Sequence, residues 1–152
     1  MSAPHNGYVH NESRSLQMRQ SFCGCPAIAD ALSYTDWLFW IDDDAAFTQF
    51  QVSFETLVPE LGQDDLSAIF CASPVNPAGG WTLISSGNFF VRNDAPGRAL
   101  IHQALQTELT IIERWWDQNK LGMFTNGDQD ALVYQLDTRK NSGAFGVIVI
   151  HC

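Results

Sequence analysis

The sequence predicts an α/β sandwich with a largely parallel sheet, and three observations support this class. Hydrophobic residues make up 45% of the 152 residues and charged residues 16%, which is typical of one globular domain. Short apolar segments alternate along the chain with segments whose apolar residues recur at helical spacing. The segment WLFWI (residues 37–41) is apolar on both faces, as a central strand covered by helices would be.

The first half of the chain is expected to form helices and strands in turn. Residues 11–22 have the pattern of a polar-leaning helix, and a second helix is expected from Pro26, because proline fits the first helical turn. The strand at residues 37–41 precedes a short helix that ends near Pro59, and the apolar strand LSAIFCA (residues 66–72) follows.

The second half is expected to contain three apolar strand segments. WTLIS (residues 81–85) and GNFFVR (residues 87–92) flank a small polar turn that contains glycine. The segment AFGVIVI (residues 144–150) is the last predicted strand.

Two helices are expected between these strands. Asp94 and Pro96 mark the start of a long helix that continues through residue 118. Its apolar stripe is predicted to contain Leu100, Ala104, Leu105, Ile111 and Ile112. The segment DQDALVYQL (residues 128–136) begins the second of these helices.

The charge balance restricts the classes of ligand. The net charge is −9 and the pI about 4.6, with eight Lys and Arg residues in total. Such a surface argues against nucleic acid, because Lys and Arg bind phosphate backbones. A phosphate-bearing ligand would need a metal cation or backbone amides to balance its charge. No apolar run has the length of a membrane helix or the position of a signal peptide core, so we expect no membrane span and no targeting segment.

The chain has four cysteines, Cys23, Cys25, Cys71 and Cys152. The spacing in CGC is too short for the usual zinc-binding pair. The even number permits disulfides without requiring them, and we expect small buried apolar residues.

The three aspartates Asp42, Asp43 and Asp44 directly follow the first predicted strand. Ligands of α/β sheets bind at the carboxyl ends of strands. In extended chain, Asp42 and Asp44 would face one side and Asp43 the other, and hard divalent ions accept such oxygen ligands. The triplet therefore predicts a metal–phosphate site, with a solvated acidic turn as an equally good interpretation. A phosphohydrolase of the haloacid dehalogenase type is less well matched, because Ala46 stands where that motif has threonine.

Two further segments and one histidine are candidates for the same site. Gly87 would let backbone approach a ligand, and Ser86 and Asn88 offer hydrogen bonds, although an ordinary turn is the simpler interpretation of these residues taken alone.

In the segment NGDQDAL, capping of a helix explains Asp128 but not Gln129 or Asp130, which is weak support for a site. His151 ends the last predicted strand and is a candidate third metal ligand, although a lone histidine is more often structural or exposed.

Taken in order, four segments resemble a glycosyltransferase of the GT-A fold, the Rossmann-like fold of nucleotide-diphospho-sugar transferases. WLFWIDDDAAF resembles its hydrophobic strand and Asp-x-Asp motif. WTLISSGNFFVRN resembles the Asn-Thr-Gly-x-Phe-x-x-Arg-Asn segment of the retaining galactosyl-, xylosyl- and mannosyltransferases, the family of xyloglucan xylosyltransferase and galactomannan galactosyltransferase. GDQDALVYQL is similar to its Asp-Asp-Gln-x-Ala-x-Val-Tyr-x-Leu segment, and VIVIHC to its closing strand. The match runs from about Leu16 to the end.

The resemblance implies a metal-dependent transfer of a hexose or pentose, with retention, from a nucleoside-diphosphate sugar to a glycan acceptor. Asp44 and His151 would bind Mn²⁺ or Mg²⁺, and Asp42 would support the metal or the ribose of the donor. The ion would hold the diphosphate and stabilise the leaving nucleotide as a Lewis acid.

The resemblance also implies roles at the sugar. Ser86, Gly87 and Asn88 would lie near the donor sugar or the acceptor. Asp128 would bind hydroxyls of the donor sugar, and Gln129 would lie beside its anomeric carbon.

The chain departs from the family pattern at three places and at its amino-terminal side. Ser85 replaces the asparagine of Asn-Thr-Gly, Gly127 replaces the first aspartate before Asp-Gln, and the His-x-x-Gly-Cys ending is shortened to HC. The first βαβ unit, which binds the nucleotide base, is not recognised. We therefore expect residues 1–152 to form one glycosyltransferase-like domain that is partial at both ends.

Two functions follow from this comparison. The first is an active glycosyltransferase, for which the family implies the Golgi lumen. The second is a non-catalytic remnant of the fold that binds a sugar or a metal.

Overall fold

Four strands form one mixed sheet in the computed structural model of the protein. The structure describes residues 24–48, 51–74, 82–139 and 146–150. The strands are β1 (Trp37–Ile41), β2 (Leu66–Ala72), β3 (Ile84–Arg92) and β4 (Gly146–Ile150). They lie in the order β1-β3-β2-β4, with β3 antiparallel to both neighbours and β2 parallel to β4. The α/β class is confirmed for this part of the chain, and the sheet is compatible with a Rossmann-like fold.

The predicted parallel pairing of the strands is wrong for most of this sheet. β3 is antiparallel to β1 and to β2, and only the pair of β2 and β4 is parallel among the described strands. β3 follows β2 through residues 73–83, whereas a parallel pair needs a crossover of roughly a dozen residues or more. β1, β2 and β4 still run in one direction, so their carboxyl ends lie at the same edge of the sheet.

β1 lies at an edge of the described sheet, whereas the sequence predicted a central strand. Among the described strands it pairs with β3 alone, and all five of its residues are half-buried. Leu38 and Trp40 pack toward one core of the molecule, and Trp37 and Phe39 pack against the other. An edge strand that is covered on both faces has the same apolar pattern as a central one.

Six α-helices and two 3₁₀ helices accompany the described sheet. The α-helices are α1 (Gly24–Ala31), α2 (Phe54–Leu57), α3 (Ala95–Gln106), α4 (Leu109–Trp115), α5 (Gln118–Leu121) and α6 (Asp128–Arg139). The 3₁₀ helices are Leu32–Tyr34 and Pro59–Gly62. The helices predicted near Pro26, Pro59 and Asp128 are confirmed, and the one at residues 11–22 lies outside the described residues. None of the described helices has the length and apolar character needed to cross a membrane.

Hydrophobic cores lie on both faces of the sheet. The larger core joins the sheet to the helices, and its fully buried side chains include Ile28, Leu32, Phe70, Phe89, Leu100, Ile101, Ile112 and Leu132. The smaller core is built from Val58, Leu66, Ile69 and Phe90. Phe39 of β1 stacks on Phe90 of β3 with ring centroids 4.4 Å apart. This packing fixes the end of β1, and therefore the position at which the acidic triplet begins.

β3 is one continuous strand, whereas the sequence predicted two apolar segments separated by a turn. The register of the β2–β3 pair shifts after Phe70, and residues 86–88 lie between two consecutive pairs. On the other side, Asn88 still pairs with Ile41 of β1. Residues 86–88 therefore form a bulge, which contains Gly87, and glycine is a usual residue of bulges as well as of turns.

The long helix predicted from Asp94 is divided into α3 and α4. It begins as predicted, because Gly97 N donates to Asp94 Oδ1 at 2.7 Å. At Thr107 the backbone becomes extended, and the Thr107 hydroxyl donates to Gln103 O and accepts from Gln135 Nε2, each at 2.8 Å. The contact with Gln135 of α6 is tertiary, so local periodicity could not show it.

The structure describes two of the four cysteines, one as a free thiol and one in a disulfide. Cys25 is a free thiol with 1% exposure, which confirms the expected small buried residue. Cys71 is disulfide-bonded, so the expectation of a small buried apolar residue is wrong there, although the even number of cysteines permitted a disulfide. Cys23 and Cys152 lie outside the described residues.

We expect Ile112→Ala to lower the free energy of unfolding by about 2–5 kcal/mol and Ile111→Ala by less than about 0.5 kcal/mol. Ile112 is fully buried in α4, whereas Ile111 is 47% exposed, contrary to the stripe predicted from the sequence. The two variants lose the same atoms from adjacent positions, so each controls for the other. Urea unfolding followed by tryptophan fluorescence measures both, and equal losses would contradict the packing of α4.

Candidate functional site

The end of β1, the bulge of β3 and the start of α6 meet at one edge of the sheet. Asp42 N donates to Gly87 O at 2.8 Å. Ser86 N donates to Gln129 Oε1 at 3.1 Å, and Ser86 Oγ donates to Asp128 Oδ1 at 3.4 Å. These five residues, which we call the candidate site, come from three separate segments that the sequence predicted for one site.

The Asp42 carboxylate is bound by Trp40 and lies close to Gly87. Trp40 Nε1 donates to Asp42 Oδ1 at 3.1 Å. A Cβ added at Gly87 would lie 3.2 Å from Asp42 Oδ2, so a side chain there would displace the carboxylate. Trp40 was not predicted for the site, although residues two apart on a strand share a face and its spacing from Asp42 indicates this contact.

The bulge leaves backbone groups of β3 that must find partners outside β2. Ser86 N–H donates to Gln129, and Gly87 N–H donates to Ser85 Oγ at 3.3 Å. Gly87 C=O accepts from Asp42 N. Residues 86–88 are half-buried, and backbone groups shielded from water are almost always hydrogen-bonded, so Gln129, Asp42 and Ser85 help to stabilise the bulge.

Gln129 uses both ends of its side-chain amide within the protein. Its Oε1 accepts from Ser86 N, and its Nε2 makes a short hydrogen bond to Thr82 Oγ1. Thr82 is 5% exposed and donates in turn to Ile84 O at 2.8 Å. Thr82 was not predicted for the site, and no local pattern around it could have indicated the contact with α6.

Asp128 is a carboxyl group in a partly buried, negatively charged environment. Burial raises the pKa of Asp128 above its ordinary value, and the charge of Asp42 raises it further. Hydrogen bonds from Gln129 N at 2.7 Å and from Ser86 Oγ act in the opposite direction. Burial, with a contribution from Asp128, also raises the pKa of the neighbouring Cys25 thiol to about 12, so this thiol is neutral.

Asp130, which gave weak support for a site, has a structural explanation. It is fully buried, and its Oδ2 accepts from Thr125 N at 2.9 Å and from Gly127 N at 3.2 Å. These bonds cap the start of α6 and hold a turn in which Asn126 has a positive φ of 61°. Asp130 therefore binds the backbone amides that precede α6, while Asp128 accepts from the first-turn amide of Gln129 and also faces the candidate site.

Asp44 and His151, the other two predicted metal ligands, are not among the five residues of the candidate site. β1 ends at Ile41, and Asp43 and Asp44 lie in an exposed turn that Ala45 N closes by donating to Asp42 O at 3.2 Å. The alternation of side chains in extended chain therefore does not decide which side Asp44 faces. His151 lies outside the described residues and follows β4 directly.

The oxygen atoms at this edge are of the kind that bind hard divalent ions. Among residues 24–48, 51–74, 82–139 and 146–150, no group of three or more His, Cys, Asp or Glu side chains is arranged to hold a metal. The carboxylate of Asp42 and the side-chain oxygen of Asn88 are nevertheless hard oxygen donors. Asn88 Oδ1 is buried without a hydrogen-bond partner in the described chain, and Asn88 pairs with the residue before Asp42.

Comparison with known proteins gave no match. No protein-family model matches the chain, and searches of curated proteins and of solved structures found no similar protein. The resemblance to glycosyltransferases therefore rests on the four sequence segments.

In the absence of divalent ions, we expect Asp128→Asn to stabilise the protein increasingly as the pH rises. The folded pKa of Asp128 is raised, so its carboxyl stabilises the folded state below the ordinary value of about 3.9 and loses this contribution as the pH rises through the folded pKa. The asparagine side-chain oxygen can still accept the bonds from Gln129 N and Ser86 Oγ. Urea unfolding in EDTA across the acid range measures the difference, and a difference that does not change with pH would contradict this environment.

Proposed function

We propose that the protein is a metal-dependent glycosyltransferase that transfers a hexose or pentose from a nucleoside-diphosphate sugar to a glycan acceptor, with retention. The observation that carries this proposal is the convergence of three of its motifs. Asp42, the bulge residues Ser86 and Gly87, and the helix residues Asp128 and Gln129 are linked by hydrogen bonds at one edge of the sheet. A ligand bound at this edge would meet all three segments.

The electrostatics of this edge support a bound cation. Neither Asp42 nor Asp128 forms an ion pair with any residue in the part of the chain that the structure describes. A diphosphate would therefore meet two unneutralised carboxylates. Mn²⁺ or Mg²⁺ held by Asp42, Asp44 and His151 would bind the diphosphate and act as a Lewis acid toward the leaving nucleotide.

The other polar groups suit the hydroxyls of a sugar. The hydrogen bonds from Gln129 N and Ser86 Oγ use Oδ1 of Asp128, so Oδ2 is the oxygen that would accept from a sugar hydroxyl. The Ser86 hydroxyl donates to Asp128 and can still accept, and Gln129 keeps one of its two Nε2 hydrogens. Asn88 offers its unpartnered oxygen.

A non-catalytic remnant that binds sugar or metal is the second candidate function. The observation that favours it is the use of both ends of the Gln129 amide by the protein, because the resemblance implies that this residue contacts the anomeric carbon. Binding of the nucleotide sugar without release of nucleotide would distinguish the remnant from the enzyme.

The proposed compartment is the Golgi lumen, which the resemblance implies. The disulfide at Cys71 supports an oxidising compartment, because disulfides rarely persist in the cytosol.

We expect UDP or GDP to bind the protein in the presence of Mn²⁺, and Asp44→Ala to abolish this binding by removing a metal ligand. Asp43→Ala is the matched control, since it removes the same charge from the adjacent exposed residue. Isothermal titration calorimetry with and without Mn²⁺ measures the affinity. Absence of nucleotide binding to the wild type in any condition would refute the enzyme, and release of phosphate from simple phosphate esters would favour a phosphohydrolase.

We expect Gly87→Ala to weaken Mn²⁺ binding by about tenfold, a loss of about 1.4 kcal/mol, with little change in stability. The added Cβ would lie 3.2 Å from Asp42 Oδ2, and the flexible carboxylate would move while the backbone stays. Gly62→Ala is the control, because no atom lies within 4 Å of the added Cβ. Electron paramagnetic resonance of free Mn²⁺ gives the affinities, and equal affinities of the two variants would argue against Asp42 as a ligand.

A further inference from the structure

We infer that Thr82 is a positioning residue, whose hydroxyl fixes the side-chain amide of Gln129 and thereby holds the bulge of β3 against the start of α6. Thr82 precedes β3 and is not part of the candidate site. It acts through Gln129, which contacts Ser86 of the bulge and directly follows Asp128. The effect on a donor sugar rests on the proposed function, whereas the orientation of the amide does not.

The backbone of β3 determines the direction of each hydrogen bond in this chain. Ser86 N–H can only donate, so the oxygen of the Gln129 amide must face it. Ile84 C=O can only accept, so the Thr82 hydroxyl must donate to it. The Gln129 Nε2 group can only donate, so it donates to the Thr82 oxygen. The amide thus has one favourable orientation of the two that a glutamine side chain can adopt.

The one hydrogen and both lone pairs of the Thr82 hydroxyl have partners in this arrangement. Its hydrogen goes to Ile84 O, one lone pair accepts from Gln129, and the other faces Ser73 Oγ at 3.4 Å. Ser73 must be the donor in that last contact, because Thr82 has only one hydrogen. Thr82 is 5% exposed, so water cannot readily replace a missing partner.

Loss of the hydroxyl would therefore be transmitted to the candidate site. The Gln129 amide would keep its bond to Ser86 N but lose the contact that prevents it from rotating. The side-chain amide of Gln129 binds Ser86 N, and Ser86 Oγ donates to Asp128, so the amide would affect Asp128 through Ser86. Thr82 sets the direction of the remaining Nε2 hydrogen of Gln129 in the same way.

Nuclear magnetic resonance of the side-chain amide of Gln129 tests this inference without any ligand. The variants are Thr82→Val, which keeps the shape but removes the hydroxyl, and Thr82→Ser, which keeps the hydroxyl. Loss of the Gln129 signal in Gln129→Glu assigns the resonance. We expect slow hydrogen exchange of the Gln129 amide in the wild type and in Thr82→Ser, and at least tenfold faster exchange of this amide and of Ser86 N–H in Thr82→Val.

The serine variant separates positioning from stability. A purely structural role would lower the melting temperature of both variants and leave the Gln129 resonance unchanged in each. Unchanged exchange in a folded Thr82→Val variant would overturn the inference. If that variant does not fold, a nuclear Overhauser effect between the Gln129 amide hydrogens and the Thr82 methyl in the wild type supports the inference, and exchange as fast as in exposed glutamines overturns it.

Titration with UDP-glucose and UDP-xylose in the presence of Mn²⁺ tests the consequence for the donor. We expect Thr82→Val to weaken binding of the sugar that the wild type prefers by about tenfold, and Thr82→Ser to bind it as the wild type does. Absence of nucleotide-sugar binding to the wild type would refute the proposed function and leave the resonance result standing. Wild-type affinity in Thr82→Val, together with altered Gln129 exchange, would overturn the positioning of the donor by Thr82.

Discussion

The need of half-buried backbone groups in the bulge of β3 for hydrogen-bond partners shapes the geometry of the candidate site. At residues 86–88, β3 departs from β2, and its amide and carbonyl groups need other partners. Gln129 from α6 and the backbone of Asp42 after β1 supply two of them. The contacts that stabilise the bulge are therefore the contacts that assemble the site, and a change that relaxes one also disturbs the other.

The same edge of the sheet concentrates negative charge, and among the described residues no ion pair neutralises Asp42 or Asp128. Asp42 and Asp128 interact unfavourably, and burial makes the charged form of Asp128 less favourable still. This unfavourable interaction occurs beside the bulge, where Gly87 leaves room for the Asp42 carboxylate. Binding of a cation would relieve this repulsion, which is the electrostatic argument for the proposed metal.

Sequence patterns predicted the parts of the fold that depend on local chemistry. Asp94 begins α3 as expected, and the helix near Pro26 is present, because capping and the fixed φ of proline act within a few residues. The division of α3 from α4 depends on Gln135 of a distant helix, and the edge position of β1 depends on its neighbours. Pattern alone could not predict either.

The candidate site was also predicted where it depends on local sequence, and not where it depends on tertiary contacts. Five of the predicted residues meet, because the end of β1, the bulge of β3 and the start of α6 lie at one edge of the sheet. Capping was not expected to explain Asp130, yet its carboxylate binds the backbone amides of Thr125 and Gly127 in a turn that the sequence did not indicate.

The hydrogen bond from Trp40 to Asp42 has a consequence for the fluorescence of the protein. An indole bonded to a candidate ligand makes its emission sensitive to whatever that carboxylate binds, so the protein carries an intrinsic fluorescent reporter of its own site.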